Sequence, residues 1–215
     1  MAAVKKTSTD RKKANLSRTV EVRALTTNDW PTIEKLFGEK GVCGGCWCMS
    51  WRLPQHGKLW EQNKGEPNKR AFKKLVKSGK VHACLAFLDD TPVGWCCIGP
   101  RGDFPRLARI KALQTKWDDD TWSVVCFYIK TGYRHQGIAT KMLNRAASLA
   151  RSLGAKRLEG YPVTAFRTGN GEIPAAFAWT GVKQLFEKQK FVNISLPQTS
   201  RDVYLKRFRQ SKSST

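Results

Sequence analysis

A chain of 215 residues with 40% hydrophobic content can bury a core, as one generous domain or two small ones, and no stretch looks like an interdomain linker. No apolar run approaches the ~18 residues a membrane helix needs and no signal-peptide core stands at the start, so the seven cysteines are expected as reduced thiols in a cytoplasm. The charge is strongly basic, 39 Lys and Arg against 17 Asp and Glu, with +5 of the net +22 in residues 1–18 and +4 in 201–215.

In chain order, residues 1–18 are polar, basic and without periodicity, as in a mobile tail. Thr19 to Ala24 alternates like a first strand. Asn28 or Asp29 is placed to cap a helix with Pro31 in its first turn and Ile33, Leu36 and Phe37 as its apolar stripe. Gly41 to Trp51 is a glycine-rich cysteine loop, and a second helix is expected from about Pro67 to Ser78. Val81 to Leu88 reads as a strand, Asp89-Asp90-Thr91-Pro92 as a turn, and Val93 to Ile98 as the hairpin partner. Gly99 to Trp117 holds room for a short helix. Ala165 to Gly171 reads as a loop, Pro174 as the opening of a last helix to about Lys188, with strands near Phe191 and Val203.

Between these lies the most informative stretch. Trp122 to Ile129 is apolar on both alternating faces, as in a strand buried in mid-sheet. Ile138, Met142, Ala146, Leu149 and Leu153 then recur at helical spacing until Gly154, and Lys156 to Val163 is strand-like again. The loop joining strand to helix is Tyr133-Arg134-His135-Gln136-Gly137-Ile138-Ala139-Thr140. A helix N-terminus carries unpartnered N–H groups and a favourable dipole for an anion. Gly137 and Ala139 leave the backbone bare, and Thr140 adds a hydroxyl. A P-loop would need Lys-Ser/Thr where Ile138-Ala139 stand, and a dinucleotide fingerprint would need a third glycine.

Arg134-x-x-Gly137-x-Ala139 behind a buried strand resembles the Arg/Gln-x-x-Gly-x-Gly/Ala motif of the GNAT acetyltransferases, whose loop grips the pyrophosphate of coenzyme A. The resemblance runs from about Val20 to Phe208. It is closest to a group with an early Cys-Trp-Cys and a Glu-Gly-Tyr-Pro-Val strand, here Cys46-Trp47-Cys48 and Glu159-Gly160-Tyr161-Pro162-Val163. The implied fold is α/β (α+β): a central mixed, mostly antiparallel twisted sheet of six or seven strands with helices on both faces. It would occupy residues 19–208, between basic flexible tails at 1–18 and 209–215.

The resemblance implies acetyl-CoA as cosubstrate, held by Arg134, His135, Gln136, Gly137, Ile138, Ala139 and Thr140 and by the backbone of Phe127, Tyr128 and Ile129, which would also polarise the thioester. Direct transfer to a primary amine in a ternary complex needs a base, an oxyanion donor and a proton for the leaving thiolate. Glu159, beside the expected cleft, is the candidate base, or else a structural carboxylate bonded to an arginine such as Arg157 or Arg167. His135 at a loop apex faces solvent or a phosphate, His82 reads as a satisfied core histidine, and His56 is uninformative. Where many members carry a Tyr on the last helix, the matching positions here are Trp179, Val182, Leu185 and Phe186. Lys190 replaces a usual Gly and Thr131 a usual Pro. The proton must come from Tyr128, Tyr161 or water, or the thiolate leaves unaided.

Cys43-x-x-Cys46-x-Cys48 could hold zinc with His56 or Cys84 as a fourth ligand, but no second Cys-x-x-Cys exists and Cys96-Cys97 point to opposite faces. The expectation is no metal, with Cys46, Trp47, Cys48 and Trp51 forming an acceptor wall. The expected acceptor is a small-molecule amine, with a protein amine as runner-up. The rival is a noncatalytic acyl-CoA- or polyanion-binding module. The charge suggests nonspecific nucleic-acid contact through the tails or a compositional habit, and no membrane partner. Monomer and homodimer both stay open.

Overall fold

The computed structural model describes residues 19–54, 58–116, 120–163, 173, 178–196 and 201–209. Seven strands form one sheet: β1 (Val20–Ala24), β2 (His82–Leu88), β3 (Thr91–Pro100), β4 (Thr121–Ile129), β5 (Arg157–Gly160), β6 (Val192–Asn193) and β7 (Tyr204–Arg207). Their order is β1-β2-β3-β4-β5-β7-β6, and only β4 and β5 run parallel. The mixed, mostly antiparallel seven-stranded sheet is the expected one. Residues 1–18 and 210–215 of the expected basic tails, and His56, lie outside the described residues.

Strand alternation divides the core into two layers. Ala83, Leu85, Trp95 and Cys97 point to one face, where α1 (Trp30–Phe37) and α3 (Glu66–Lys77) pack through Ile33, Phe37, Phe72 and Val76. Cys84, Ala86, Cys96 and Ile98 point to the other, under Met142, Leu143, Ala146 and Ala150 of α5 (Ile138–Ser152). Cys96 and Cys97 thus fall on opposite faces. Two short helices, α2 (Lys58–Asn63) and α4 (Pro105–Arg109), flank the first layer, and α6 (Lys183–Lys188) lies on the second. Among the described residues no helix is long and apolar enough to cross a membrane.

Several boundaries differ from the sequence reading. The hairpin turns on Asp89 and Asp90, both at positive φ, so Thr91 and Pro92 already belong to β3. Asp29 precedes α1 but makes no side-chain cap: its carboxylate turns back to bind Arg23 and Thr26. The last helix starts at Lys183, after a separate turn at Ala178–Thr180 that ends in Gly181 at φ 88°. Residues 174–177, where Pro174 was expected to open it, are outside the described range.

The cysteine loop is fixed rather than loose. Gly41–Gly45 forms a wide turn with Cys43 at φ 44°, and Trp47 and Cys48 follow at φ 43° and 55°. Gly65 N–H donates to Gly45 O at 3.0 Å, an approach so close that a Cβ on Gly45 would meet Gly65 N at 2.5 Å. Asn68, buried on α3, adds a bond from its amide to the same carbonyl.

Candidate active site

β4 and β5 pair only from Thr121 to Val124 and from Arg157 to Gly160. β3 stays paired with β4 up to Ile129, so Val125–Ile129 present an edge that β5 does not cover. Lys130 N–H donates to Val93 O on the β3 side at 2.9 Å. Main-chain groups alternate sides along a strand, so those of Phe127 and Ile129 face the gap. Ile129 O lies there and accepts from Arg134 Nε at 3.1 Å. The ring of Phe186 fills the second layer beneath the fork, edge-on to Phe127 with centroids 6.3 Å apart.

The loop from Lys130 to Gly137 leads from this edge into α5. Gln136 Nε2 donates to Gly132 O at 3.1 Å and bridges the loop internally. His135 and Gly137 have φ of 62° and 76°, and no side chain caps α5. Gly137 is exposed with nothing within 4 Å of where a Cβ would stand. The first N–H groups of a fifteen-residue helix therefore open onto a bare cradle, which suits a phosphate. Gly137, Ile138, Ala139 and Thr140 line its mouth, with Arg134 tied to the β4 edge behind it.

On the opposite, first-layer face a cavity of about 280 Å³ abuts β4 at Cys126, Phe127 and Tyr128. Cys43, Cys46 and Cys48 form its loop wall, Trp60 comes from α2, and Arg106 and Trp179 close the far side. Burial pushes the Tyr128 phenol above its ordinary value, against the pull of nearby Arg134. Burial likewise raises the Cys46 thiol to about 11. The bond with Cys126, and burial after it, hold the Cys48 thiol far above its ordinary range. Cys48 Sγ also accepts from Trp95 Nε1 at 2.9 Å. All seven cysteines are free thiols, and among the described residues no group of three or more His, Cys, Asp or Glu is arranged to hold a metal.

The sequence-predicted residues separate into two sets. Cys46 and Cys48 reach the cavity together, although the intervening backbone is left-handed rather than extended. Trp47 and Trp51 do not form its wall. Trp47 is buried against Trp30 and Phe37, with centroids at 5.8 and 5.7 Å, and Trp51 is buried against Tyr161 and Trp179. The apolar walls are Trp60 and Trp179 instead, which only three-dimensional closure of α2 and the Ala178–Thr180 turn brings together. Arg106 joins them from α4, a short helix that no sequence motif marks.

Glu159 and Tyr161 lie deeper, in a buried polar group apart from the cavity lining. Tyr161 Oη donates to Glu159 Oε2 at 2.7 Å and lies 2.7 Å from Ser123 Oγ. Arg101 Nε donates to the same carboxylate oxygen at 3.2 Å and its Nη2 to Leu113 O at 2.5 Å. The arginine that meets Glu159 is thus Arg101; Arg157 instead pairs with Asp120. Burial and the Glu159 charge drive the Tyr161 phenol well above its ordinary value, so it stays protonated. Glu159 Oε1 is buried without a hydrogen-bond partner among the described residues.

The layout is a bare helix N-terminus at one end of an open strand edge and a half-open cavity against its other face. Residues 48–165, more than half of the chain, match the model of the acetyltransferase (GNAT) family. The protein belongs to that family. Its fold is similar to that of the PaiA N-acetyltransferase from Thermoplasma acidophilum in complex with coenzyme A, at 16% identity and a TM-score of 0.50 over 88% of this chain and 99% of that one. It is similar also to an N-acetyltransferase from Staphylococcus aureus Mu50 (11% identity, TM-score 0.50, 88% and 98% covered). A third likeness is to the ribosomal-protein-S5-alanine acetyltransferase from Vibrio fischeri (11% identity, TM-score 0.50, 87% and 92% covered). No curated protein matches the sequence.

Proposed function

We propose that the protein transfers an acetyl group directly from acetyl-CoA to the primary amine of a small molecule in a ternary complex. The parting of β4 from β5 after Val124 and Gly160 supports this reading, because the loop to Gly137, the Phe127 backbone and the cavity all adjoin the strand edge it leaves open. The bound cosubstrate supplies an acetyl thioester whose carbonyl must be polarised. The free N–H of Phe127 serves as that donor, and the open edge of β4 takes the pantetheine arm as an added strand. The amine enters from the thiol-lined face. Membership of the group marked by Cys46-Trp47-Cys48 belongs to the same reading, as does a reducing, cytoplasmic setting for seven free thiols.

Phe186 cannot protonate the leaving thiolate. The phenol of Tyr128 lines the cavity and is held protonated by burial, so it is the donor. Among the described lining residues there is neither imidazole nor carboxylate, so the amine loses its proton to solvent or arrives neutral. That same absence favours the second reading, an acyl-CoA-binding module without transfer. Coenzyme A release over a panel of amines separates the two: release that falls about 10²-fold in Tyr128→Phe supports the transferase. Tight acetyl-CoA binding with no release from any amine supports the module.

A further inference from the structure

Arg106 is the only charged group among the described residues that line the cavity. It projects from α4, half-buried, with its guanidinium 5.1 Å over the ring of Trp51. Nη1 donates to Ser50 Oγ at 2.7 Å and to Ser50 O at 3.4 Å, both neutral acceptors. A guanidinium has five N–H donors, and no carboxylate among the described residues forms an ion pair with this one. Its neighbour in charge is a second cation, Arg201; burial first, then Arg201, pulls Arg106 below its ordinary value. A half-buried cation with no carboxylate paired to it is costly, and an anion bound in the cavity would offset that cost.

The phosphates of coenzyme A are not that anion. Arg134, at the cradle, bears on Cys43 and Tyr128 at the near end of the cavity. Arg106 stands at the Ser50 and Trp179 end. Between the two ends the lining is indole, phenyl and thiol. Resting on the transferase reading above, we propose that the acceptor is a small amino-carboxylate with an apolar body: its carboxylate forks onto Arg106, and its amine reaches the β4 edge at Phe127 and Tyr128. Arginine fits a planar carboxylate through two parallel N–H bonds. A cavity of about 280 Å³, near the lower end of the usual ~300–1,000 Å³ range, has room for an amino acid-sized molecule.

The test compares matched pairs, phenylalanine with phenethylamine and tryptophan with tryptamine, by coenzyme A release. The protein is assayed as wild type, Arg106→Gln and Arg106→Lys, each checked for folding by thermal melting. In the wild type the carboxylated member of each pair should have the higher kcat/KM. Arg106→Gln should collapse that ratio by about 10²-fold, mainly through the KM of the carboxylate, and Arg106→Lys should fall between. A wild type that prefers the decarboxylated amines, or a preference that survives Arg106→Gln, overturns the proposal. Calorimetry of phenylalanine and benzoate against the coenzyme A-loaded protein separates this from a failure of the transferase reading. Binding that depends on Arg106 without any release keeps the carboxylate site and removes the enzyme. Neither binding nor release overturns the site itself.

Discussion

The ring of Phe186 stands where a side chain on Gly160 would be: a Cβ added there would lie 2.0 Å from Cε1 of Phe186. Phe186 is fully buried and also touches the space of Gly181, whose Cβ would come within 2.8 Å. The ring thus wedges the end of β5 where β4 leaves it. Gly160→Ala must displace a ring held by Phe127, Phe191 and Tyr204. The expected loss is about 1–3 kcal/mol, read as a lowered urea midpoint at unchanged slope. An alanine variant as stable as the parent would mean that the wedge yields freely.

Glu159 is expected to act through structure. Its carboxylate is fully buried and receives Arg101 and Tyr161, so Glu159→Gln leaves Arg101 facing a neutral amide. Removing one partner of a buried ion pair costs about 3–5 kcal/mol, and melting should show a loss of that order. The transfer rate per folded molecule should change less than tenfold, measured below the variant's transition. A folded variant slowed by about 10² or more at intact acetyl-CoA affinity would instead return Glu159 to the base role.

Glu159 also marks the limit of what the sequence disclosed. The sheet, the motif helix and the place of the loop before it were legible because they rest on local patterns, period two in Trp122–Ile129 and helical spacing from Ile138 onward. Cys46 and Cys48 line the cavity, whereas their indole neighbours Trp47 and Trp51 do not. Trp47 and Trp51 look like ligand walls in a loop, yet the left-handed turns at Trp47 and Cys48 rotate both rings into the core. Trp60, Trp179 and Arg106 are brought together from three separate elements, and no spacing rule connects them. A short parallel pairing such as that of β4 with β5 is likewise invisible until the partner's end is known.

Acid stability should depend on Asp29. Arg23 donates to both its oxygens, at 2.8 and 2.6 Å, and Thr26 adds its N–H and hydroxyl. Those bonds, Arg23 first, lower the carboxyl from 3.8 to about 2. The folded value lies below the unfolded one, so the stabilisation is complete above about pH 5 and is lost as pH falls from 4 towards 2. Arg23 is more than a third exposed, so the contribution is about 1–2 kcal/mol rather than the full shift. Urea midpoints of the parent and Asp29→Asn should differ at pH 7 and converge near pH 2.5. A constant difference across that range would assign the effect to another group.

The cradle makes a separable prediction. Gly137 sits at φ 76° with open space around its Cβ position, so Gly137→Asp meets no clash, and Asp tolerates a left-handed backbone better than most residues. A negative charge at the start of α5 also favours the helix dipole. The fold should therefore melt within a few degrees of the parent. The same carboxylate would stand where a phosphate is expected, and acetyl-CoA affinity should fall by 10²-fold or more by calorimetry, about 2.7 kcal/mol. Unchanged affinity in a folded variant would remove the loop from the cofactor site.

The thiols beside that site should stay unacylated. An attacking cysteine must be a thiolate, and the Cys46 thiol is raised to about 11, with Cys48 higher still. At neutral pH both are protonated, and Cys48 is further engaged by Trp95 and Cys126. A mass spectrum after brief incubation with acetyl-CoA alone should show no acetyl-cysteine. Cys43 differs in access rather than in ionisation: it is the exposed thiol of the seven and lines the cavity, while burial still raises its thiol above the ordinary value, partly opposed by nearby Arg134. Iodoacetamide should modify Cys43 first, and prior addition of coenzyme A should slow that reaction if the cofactor crosses the mouth of the cavity. Modification of Cys43 at the same rate with and without coenzyme A would separate the cavity from the cofactor path. A stable acetyl adduct on Cys46 or Cys48 would replace direct transfer with a covalent route.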